Sequence, residues 1–219
     1  MTEFDQTIAV IGGTGDLGSA LTMRWSKAGY RIIIGSRNED KAQATASKLN
    51  QSLGKDFVRG MTNLEAARSA EIIVLTVPFS NHQAIVEEIS QAAQGKIVVD
   101  TTVPLVPPKV SRVQLPEFGS IAKRSQEKLG NNVKVVSAFQ TVAAASISGD
   151  VTTASEVLVC GNNVEARERV IGLVKSAGLK AWHAGPIDNS VVSESMTSIL
   201  IFLNKHYQMH GAGIRIVKN

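Results

Sequence analysis

A doubly wound α/β fold built on a mostly parallel sheet is what this 219-residue sequence predicts, and three observations carry that prediction. Short β-branched runs alternate with helix-length amphipathic stretches, the pattern of repeated βα units whose strands are covered on both faces. The order opens on a strand, and that strand runs straight into a glycine-rich turn at the mouth of a helix. The longest apolar runs, 72–75 and 199–203, are strand-sized and far short of the ~20 residues that a membrane-spanning helix needs.

Taken in order, residues 8–11 open the sheet, and Leu17, Leu21 and Trp25 then fall four apart on one helical stripe that ends at Gly29. Residues 32–34 form the second strand, followed by a polar, alanine-rich helix over 39–53 and a short strand near Phe57. A short helix over 64–69 precedes a strand over 72–77 that Pro78 terminates. A helix over 84–92 and a strand over 97–99 lead into a loop holding Pro104, Pro107, Pro108 and Pro116, too rich in proline for regular structure. Then come a helix over 121–129, a strand over 133–138, and a stretch of small residues over 143–149 that fits either a boundary or a surface lying against a ligand. A strand over 157–160, a helix over 165–176, a strand near Trp182 and a long helix over 190–209 complete the chain. In that last helix Ile199, Leu200, Phe202 and Leu203 serve either the core or a dimer contact, and core packing is the preferred use. Residues 1–150 are expected to form a dinucleotide-binding domain and 151–219 a smaller C-terminal part that completes the substrate cleft.

Composition narrows the function. With 43% hydrophobic residues, 19% charged residues and six prolines the chain is neither disordered nor collagenous. Its single cysteine, Cys160, excludes an internal disulfide and reads as a buried strand residue. Lysine and arginine exceed the acids by 23 − 19 = 4, but the surplus is scattered, which suits anionic small molecules better than nucleic acid. Met1 to Gln6 carry acids and no basic flank, so a cytoplasmic protein is expected, with no membrane partner.

The chemistry sits in Gly13-Thr14-Gly15-Asp16-Leu17-Gly18, a G-x-G-x-x-G run placed after a strand and before a helix, where it marks a Rossmann-type dinucleotide site. Gly13 is assigned the tight turn, Gly15 the close approach of backbone to pyrophosphate, and Gly18 the close packing of helix on strand. Unpaired amides and the positive end of the helix dipole then face the anion. The second strand ends in Gly35-Ser36-Arg37-Asn38 with no carboxylate for a ribose 2′-hydroxyl. A hydroxyl and a guanidinium replace it and Lys41 lies four residues beyond Arg37, so the corner suits the 2′-phosphate of NADP, with Thr14 and Ser36 as hydroxyl donors.

No residue is marked as a catalytic acid, base or metal ligand. Tyr30 and Tyr207 are followed four residues later by Ile34 and Gly211, so the Tyr-x-x-x-Lys pair of short-chain dehydrogenases is absent. His206 and His210 have zinc-helix spacing without the glutamate of H-E-x-x-H. His82 is a modest candidate to face the nicotinamide, although a surface or structural role is preferred, and His183 reads as structural. Hydride transfer between two stacked redox rings fits this picture, because proximity and orientation carry it without an acid or base.

Across nearly its whole length the chain resembles the NADP-dependent oxidoreductases of coenzyme F420. The resemblance rests on Ile11 through Gly18, Gly35-Ser36-Arg37 with Lys41-Ala42, Thr76-Val77-Pro78 and Lys134-Val135-Val136-Ser137-Ala138. It continues in Val159-Cys160-Gly161, Ala184-Gly185-Pro186, Asn189-Ser190 and Glu194-Ser195. It implies that Thr14, Ser36, Arg37 and Lys41 surround the 2′-phosphate, that the loop after Val77-Pro78 lies along the dinucleotide, and that the members are homodimers. It also implies that the segment from Ala138, with Gln140, Thr141, Val142 and Ala144, holds nicotinamide and deazaflavin together. Gln140 stands where the family carries histidine and Ala143 where it carries proline, so the hydride partner is expected to be F420 or a flavin. Two further readings stay open: an NADP-dependent dehydrogenase of a small hydroxy or imino acid, as in prephenate or pyrroline-5-carboxylate enzymes, and a non-catalytic NADP redox sensor.

Overall fold

In the computed structural model, which describes residues 6–148 and 155–217, eight strands form one sheet in the order β3-β2-β1-β4-β5-β6-β7-β8. The chain runs β1 (Thr7–Ile11), α1 (Asp16–Lys27), β2 (Arg31–Ser36), α2 (Glu39–Leu53), β3 (Val58–Thr62), α3 (Asn63–Arg68), β4 (Ile72–Leu75) and α4 (Phe79–Ile89). It continues with β5 (Ile97–Asp100), α5 (Ile121–Leu129), β6 (Lys134–Ser137), a single turn α6 (Ala144–Ile147), β7 (Glu156–Gly161), α7 (Val164–Ser176), β8 (Lys180–His183) and α8 (Ser190–His206). Strands β1 to β6 pair in parallel, β7 runs antiparallel to β6, and β8 is parallel to β7. The residues after 154 thus extend the edge of the same sheet, giving the Rossmann-type fold with a small C-terminal extension. The expected boundary near residue 150 lies outside the described residues.

Strand alternation builds a core on each face. Ile8, Val10, Ile32, Ile34, Ile72 and Val74 turn toward the side where Leu21, Trp25 and Ala42 of α1 and α2 and Val170 and Leu173 of α7 pack. Ala9, Ile11, Ile33, Ile73 and Leu75 turn to the opposite side, onto Ala66, Ile85, Ile89 and Ala122 of α3, α4 and α5. Both faces being apolar explains why the strands read as continuous hydrophobic runs. Cys160 is buried in β7, and burial pushes its thiol up to about 11, so it stays a neutral core residue.

Some elements differ from expectation. Strand β4 ends at Leu75, two residues short of the expected Val77, so Pro78 does not terminate it; Pro78 is the N-cap of α4, which begins at Phe79, five residues before the sequence pattern suggests. Helix α8 buries Ser190, Ser193, Glu194, Ser198 and Leu200, while Val192, Ile199 and Phe202 are exposed. Its inward face is mostly polar, so the expected core packing holds for Leu200 and not for Ile199 or Phe202. Among the described residues no helix is long and apolar enough to cross a membrane.

Candidate active site

The strand order places β2 on one side of β1 and β4 on the other, so the connections diverge to opposite faces and leave a crevice at the carboxyl ends of these strands. A cleft of about 920 Å³ opens there. One end is formed by the turn after β1 and by the end of β2, where Thr14, Ser36, Arg37 and Lys41 gather. The other end is formed by Thr76, Val77 and Pro78 after β4, by Phe79, Ser80 and Asn81 at the start of α4, and by Thr101, Thr102 and Val103 after β5. The ionisable side chains of the described lining are Asp16, Arg37 and Lys41, all at the first end. The second end offers hydroxyls, an amide and apolar groups, with no acid or base aimed into it.

The glycines divide the work differently from the sequence assignment. The left-handed turn is taken by Gly12, at φ 79°, and not by Gly13. Gly13 is buried and needed for space, since a Cβ there would lie 2.8 Å from the Val10 carbonyl oxygen. At Gly18 a Cβ would meet the Gly13 Cα at 2.6 Å, so this residue lets α1 sit against the turn. Gly15 is unlike both: its φ of −85° suits any residue, and a Cβ would approach no other protein atom closer than 3.4 Å. Neither backbone conformation nor internal packing requires glycine at this position. Gly15 lines the cleft at the start of α1, where a bare backbone suits the close approach of an anion to the helix amides. Gly15 is also the N-cap of α1 and supplies no side-chain cap, whereas α2 is capped by Asn38 and α3 by Thr62.

These contacts separate two substitutions. Gly15→Ala is expected to leave the melting temperature unchanged while weakening dinucleotide binding, and Gly18→Ala to lower the melting temperature whether or not ligand is present. Thermal denaturation with and without NADPH measures both, and a destabilised Gly15→Ala would show that the glycine serves the fold.

At the cationic corner, Arg37 and Lys41 are exposed, and Asn38 caps α2 by accepting a hydrogen bond from the Lys41 backbone N–H at 2.9 Å. The cap fixes where α2 begins and so sets Lys41 in its first turn, while Arg37 and Ser36 lie just before the cap, the Ser36 Oγ accepting from the Asn38 N–H at 3.2 Å. Two cations and the Ser36 hydroxyl beside this cap, with the Thr14 hydroxyl from the turn after β1 at the same end of the cleft, are suited to a phosphate dianion.

The second predicted cluster is arranged otherwise. Ala138, Gln140, Thr141 and Val142 are buried and do not line the cleft. Between them Phe139 adopts a left-handed φ of 72° and packs edge-on to Trp25, with ring centroids 5.9 Å apart. Gln140 is drawn inward: its Nε2 donates to the Asp100 carbonyl oxygen at 2.8 Å and its backbone carbonyl accepts from Thr197 Oγ1 at 2.8 Å. Its Oε1 is buried without a hydrogen-bond partner. Ala144 lies apart, in a shallow groove with Asp16, Ser19, Ala20 and Met23 between α1 and α6. His82 does not face the cleft; it is buried, with Nε2 2.8 Å from Asp100 Oδ2. His183 accepts a local hydrogen bond from the Gly185 N–H, and His206 ends α8 on the surface. Among the described residues no three His, Cys, Asp or Glu side chains gather as metal ligands. Sequence reasoning took the residues after Pro78 for a loop where α4 begins, and it missed Gly12, Asn63 and the segment after β5 that carries Thr101 to Val103, Leu105 and Pro107. The position of that segment at the carboxyl end of a central strand was the available signal.

Residues 7–104 match the family model described as NADP oxidoreductase coenzyme F420-dependent. The F420-dependent NADP reductase of Methanocaldococcus jannaschii is 37% identical over 218 residues, which cover 95% of this chain and 97% of that one. The chain belongs to the coenzyme F420-dependent NADP oxidoreductase family. The F420-dependent NADP reductase of Methanothermobacter marburgensis is another member at 36% identity, covering 95% of this chain and 97% of its own. A crystal structure of an Arthrobacter sp. FB24 protein superposes with a TM-score of 0.81 over 97% of this chain and 100% of that one, at 22% identity, a likeness of fold. Family members are oxidoreductases, and the doubly wound sheet is common to sequence, structure and neighbour.

Proposed function

We propose that this chain transfers a hydride between NADP(H) and the deazaflavin ring of coenzyme F420. The observation that carries the reading is the combination, in one cleft, of a second strand that ends without a carboxylate beside Arg37 and Lys41 with a Gly15 gap that packing does not require. In this reading Thr14, Ser36, Arg37 and Lys41 hold the 2′-phosphate, the 13–18 turn receives the pyrophosphate, and Val77 and Pro78 lie along the dinucleotide. Nicotinamide supplies or accepts the hydride, and the protein's part is to set the two rings face to face and keep water away. Ala138, Gln140, Thr141 and Val142 act from behind the ring site, bracing it through the Asp100 carbonyl and α8, and Ala144 borders the neighbouring groove. Residues 1–150 then form the nucleotide-binding part, and the remainder supports the cleft through α8.

The homologues do not favour the hydroxy- or imino-acid dehydrogenase or the sensor. The reading includes a cytoplasmic homodimer, supported by the exposed Val192, Ile199 and Phe202 on α8, and light scattering at the mass of one chain would remove the dimer. Purified protein given NADPH and, in turn, F420, FMN, FAD and riboflavin is expected to turn over F420. Turnover with a flavin alone would move the assignment to flavin reduction, and no turnover with any acceptor would discard the enzymatic reading.

A further inference from the structure

Behind the second end of the cleft lies a buried polar cluster that cofactor binding does not use. Asp100, the last residue of β5, is fully buried; its Oδ2 lies 2.8 Å from His82 Nε2 and accepts from Ser125 Oγ at 2.6 Å, while its Oδ1 accepts from the Thr102 N–H at 3.0 Å. Ser125 Oγ is 3.2 Å from the same His82 nitrogen. Because carboxylate and hydroxyl meet one ring nitrogen and not opposite ones, the imidazole cannot relay a proton between them, and the cluster is no nucleophilic triad. It is a clamp. His82 belongs to α4, whose Phe79, Ser80, Asn81 and Ile85 line the cleft, and Thr101 and Thr102, which directly follow Asp100, line it as well. The Asp100 carbonyl also receives Gln140 Nε2. One residue therefore holds the start of α4, the segment after β5 and Gln140 in register.

The charges in this cluster decide how firmly the clamp is held. Burial alone would push His82 toward its neutral form, but the charge and hydrogen bond of Asp100, with the charge of Glu194, outweigh it and raise His82 above its ordinary value. Burial opposes ionisation of Asp100 too, and His82, Ser125 and the Thr102 N–H outweigh it in the other direction, so this carboxyl is held low. Glu194 of α8 faces the same cluster; it accepts from Ser120 Oγ at 3.0 Å and from the N–H groups of Ile121 and Ala122 at 2.8 and 3.1 Å, capping α5. From α5 itself the cluster meets the neutral Ser125. Neutral His82 protonated on Nε2 keeps its hydrogen bond and gives up its charge, which leaves the Asp100 carboxylate buried without a counter-ion.

We propose that the His82–Asp100 ion pair is a positioning element for hydride transfer, locking the α4 and β5 walls against the reacting rings, so that the competent cleft requires protonated His82. This rests on the hydride-transfer reading above. A group whose folded-state value is raised contributes below its unfolded value near 6.5 and is lost as pH rises through the folded value. The expected result is a kcat that falls on the alkaline side with a single proton while NADPH affinity stays level, since Arg37 and Lys41 lie at the other end.

The test combines two measurements. In the wild-type protein, NMR titration of the labelled His82 ring is expected to give a midpoint above 6.5 that coincides with the alkaline limb of kcat. In His82→Gln and Asp100→Asn, kcat is expected to drop roughly tenfold to a hundredfold and to lose the alkaline limb, with the NADPH Kd changed less than about twofold. A limb that persists in His82→Gln overturns the proposal, and a wild-type His82 ring that titrates away from the limb overturns it even if the variants do not fold. No turnover with any acceptor at any pH would remove the hydride-transfer reading and this proposal together, whereas turnover with a flat profile removes this proposal alone.

Discussion

Arg37→Ala is expected to weaken NADPH binding by about 1.5–3 kcal/mol, roughly a tenfold to hundredfold rise in Kd, and to leave NADH binding nearly unchanged. The magnitude is that of hydrogen bonds to a charged partner, and the selectivity follows from position. Arg37 follows the last residue of the second strand, is exposed, precedes the Asn38 cap of α2 and lines the same end of the cleft as Lys41, and the strand itself ends without a carboxylate to receive a ribose 2′-hydroxyl. In the proposed reading, truncating it removes a bidentate partner of the extra phosphate and no group that NADH would use. Lys41→Ala is expected to give a smaller loss of the same selectivity, because an ammonium acts as a point charge. Isothermal titration with both cofactors measures it, and equal losses for NADPH and NADH would remove the 2′-phosphate from this corner.

Trp25→Ala is expected to cost about 3–5 kcal/mol of folding stability, the range for emptying a large buried aromatic site. Trp25 is fully buried, meets Phe139 edge-on, and its Nε1 donates to the Leu173 carbonyl oxygen at 2.8 Å. It therefore joins α1, which presents the glycine turn, to α7 and to the segment leading into Gln140. Trp25→Phe is expected to cost much less, since it keeps most of the volume and the Leu173 carbonyl retains the Ala177 N–H at 3.0 Å. Urea unfolding decides it, and a loss below about 1 kcal/mol for the alanine variant would mean that neighbouring groups collapse into the space.

The features that were legible in the sequence are local ones. The strand, glycine turn and helix of 7–27 follow from periodicity and from residues spaced within a few positions of each other, and so does the cationic corner of Ser36, Arg37 and Lys41. Asn38, three residues before Lys41, carries a visible capping signal for α2. Features set by long-range contact were hidden. The pairing of His82 with Asp100 spans 18 residues, and Glu194 caps α5 from 73 residues away at Ile121, so no spacing rule exposes either. Gln140 turns inward because Phe139 takes a left-handed backbone conformation, which an aromatic side chain rarely adopts. In α8 Ser190, Ser193 and Glu194 are buried with hydrogen-bond partners, while Ile199 and Phe202 remain outside. A pattern of apolar residues points to the core only when the core asks for apolar residues.

The fate of the transferred hydrogen tests the central claim most directly. NADPH bearing deuterium at C4, mixed with protein and F420 in ordinary water, is expected to deliver the label to the reduced deazaflavin ring without exchange. Reduced F420 that carries solvent hydrogen in place of the label, or labelled NADPH that is left unconsumed, would contradict direct ring-to-ring transfer in this cleft.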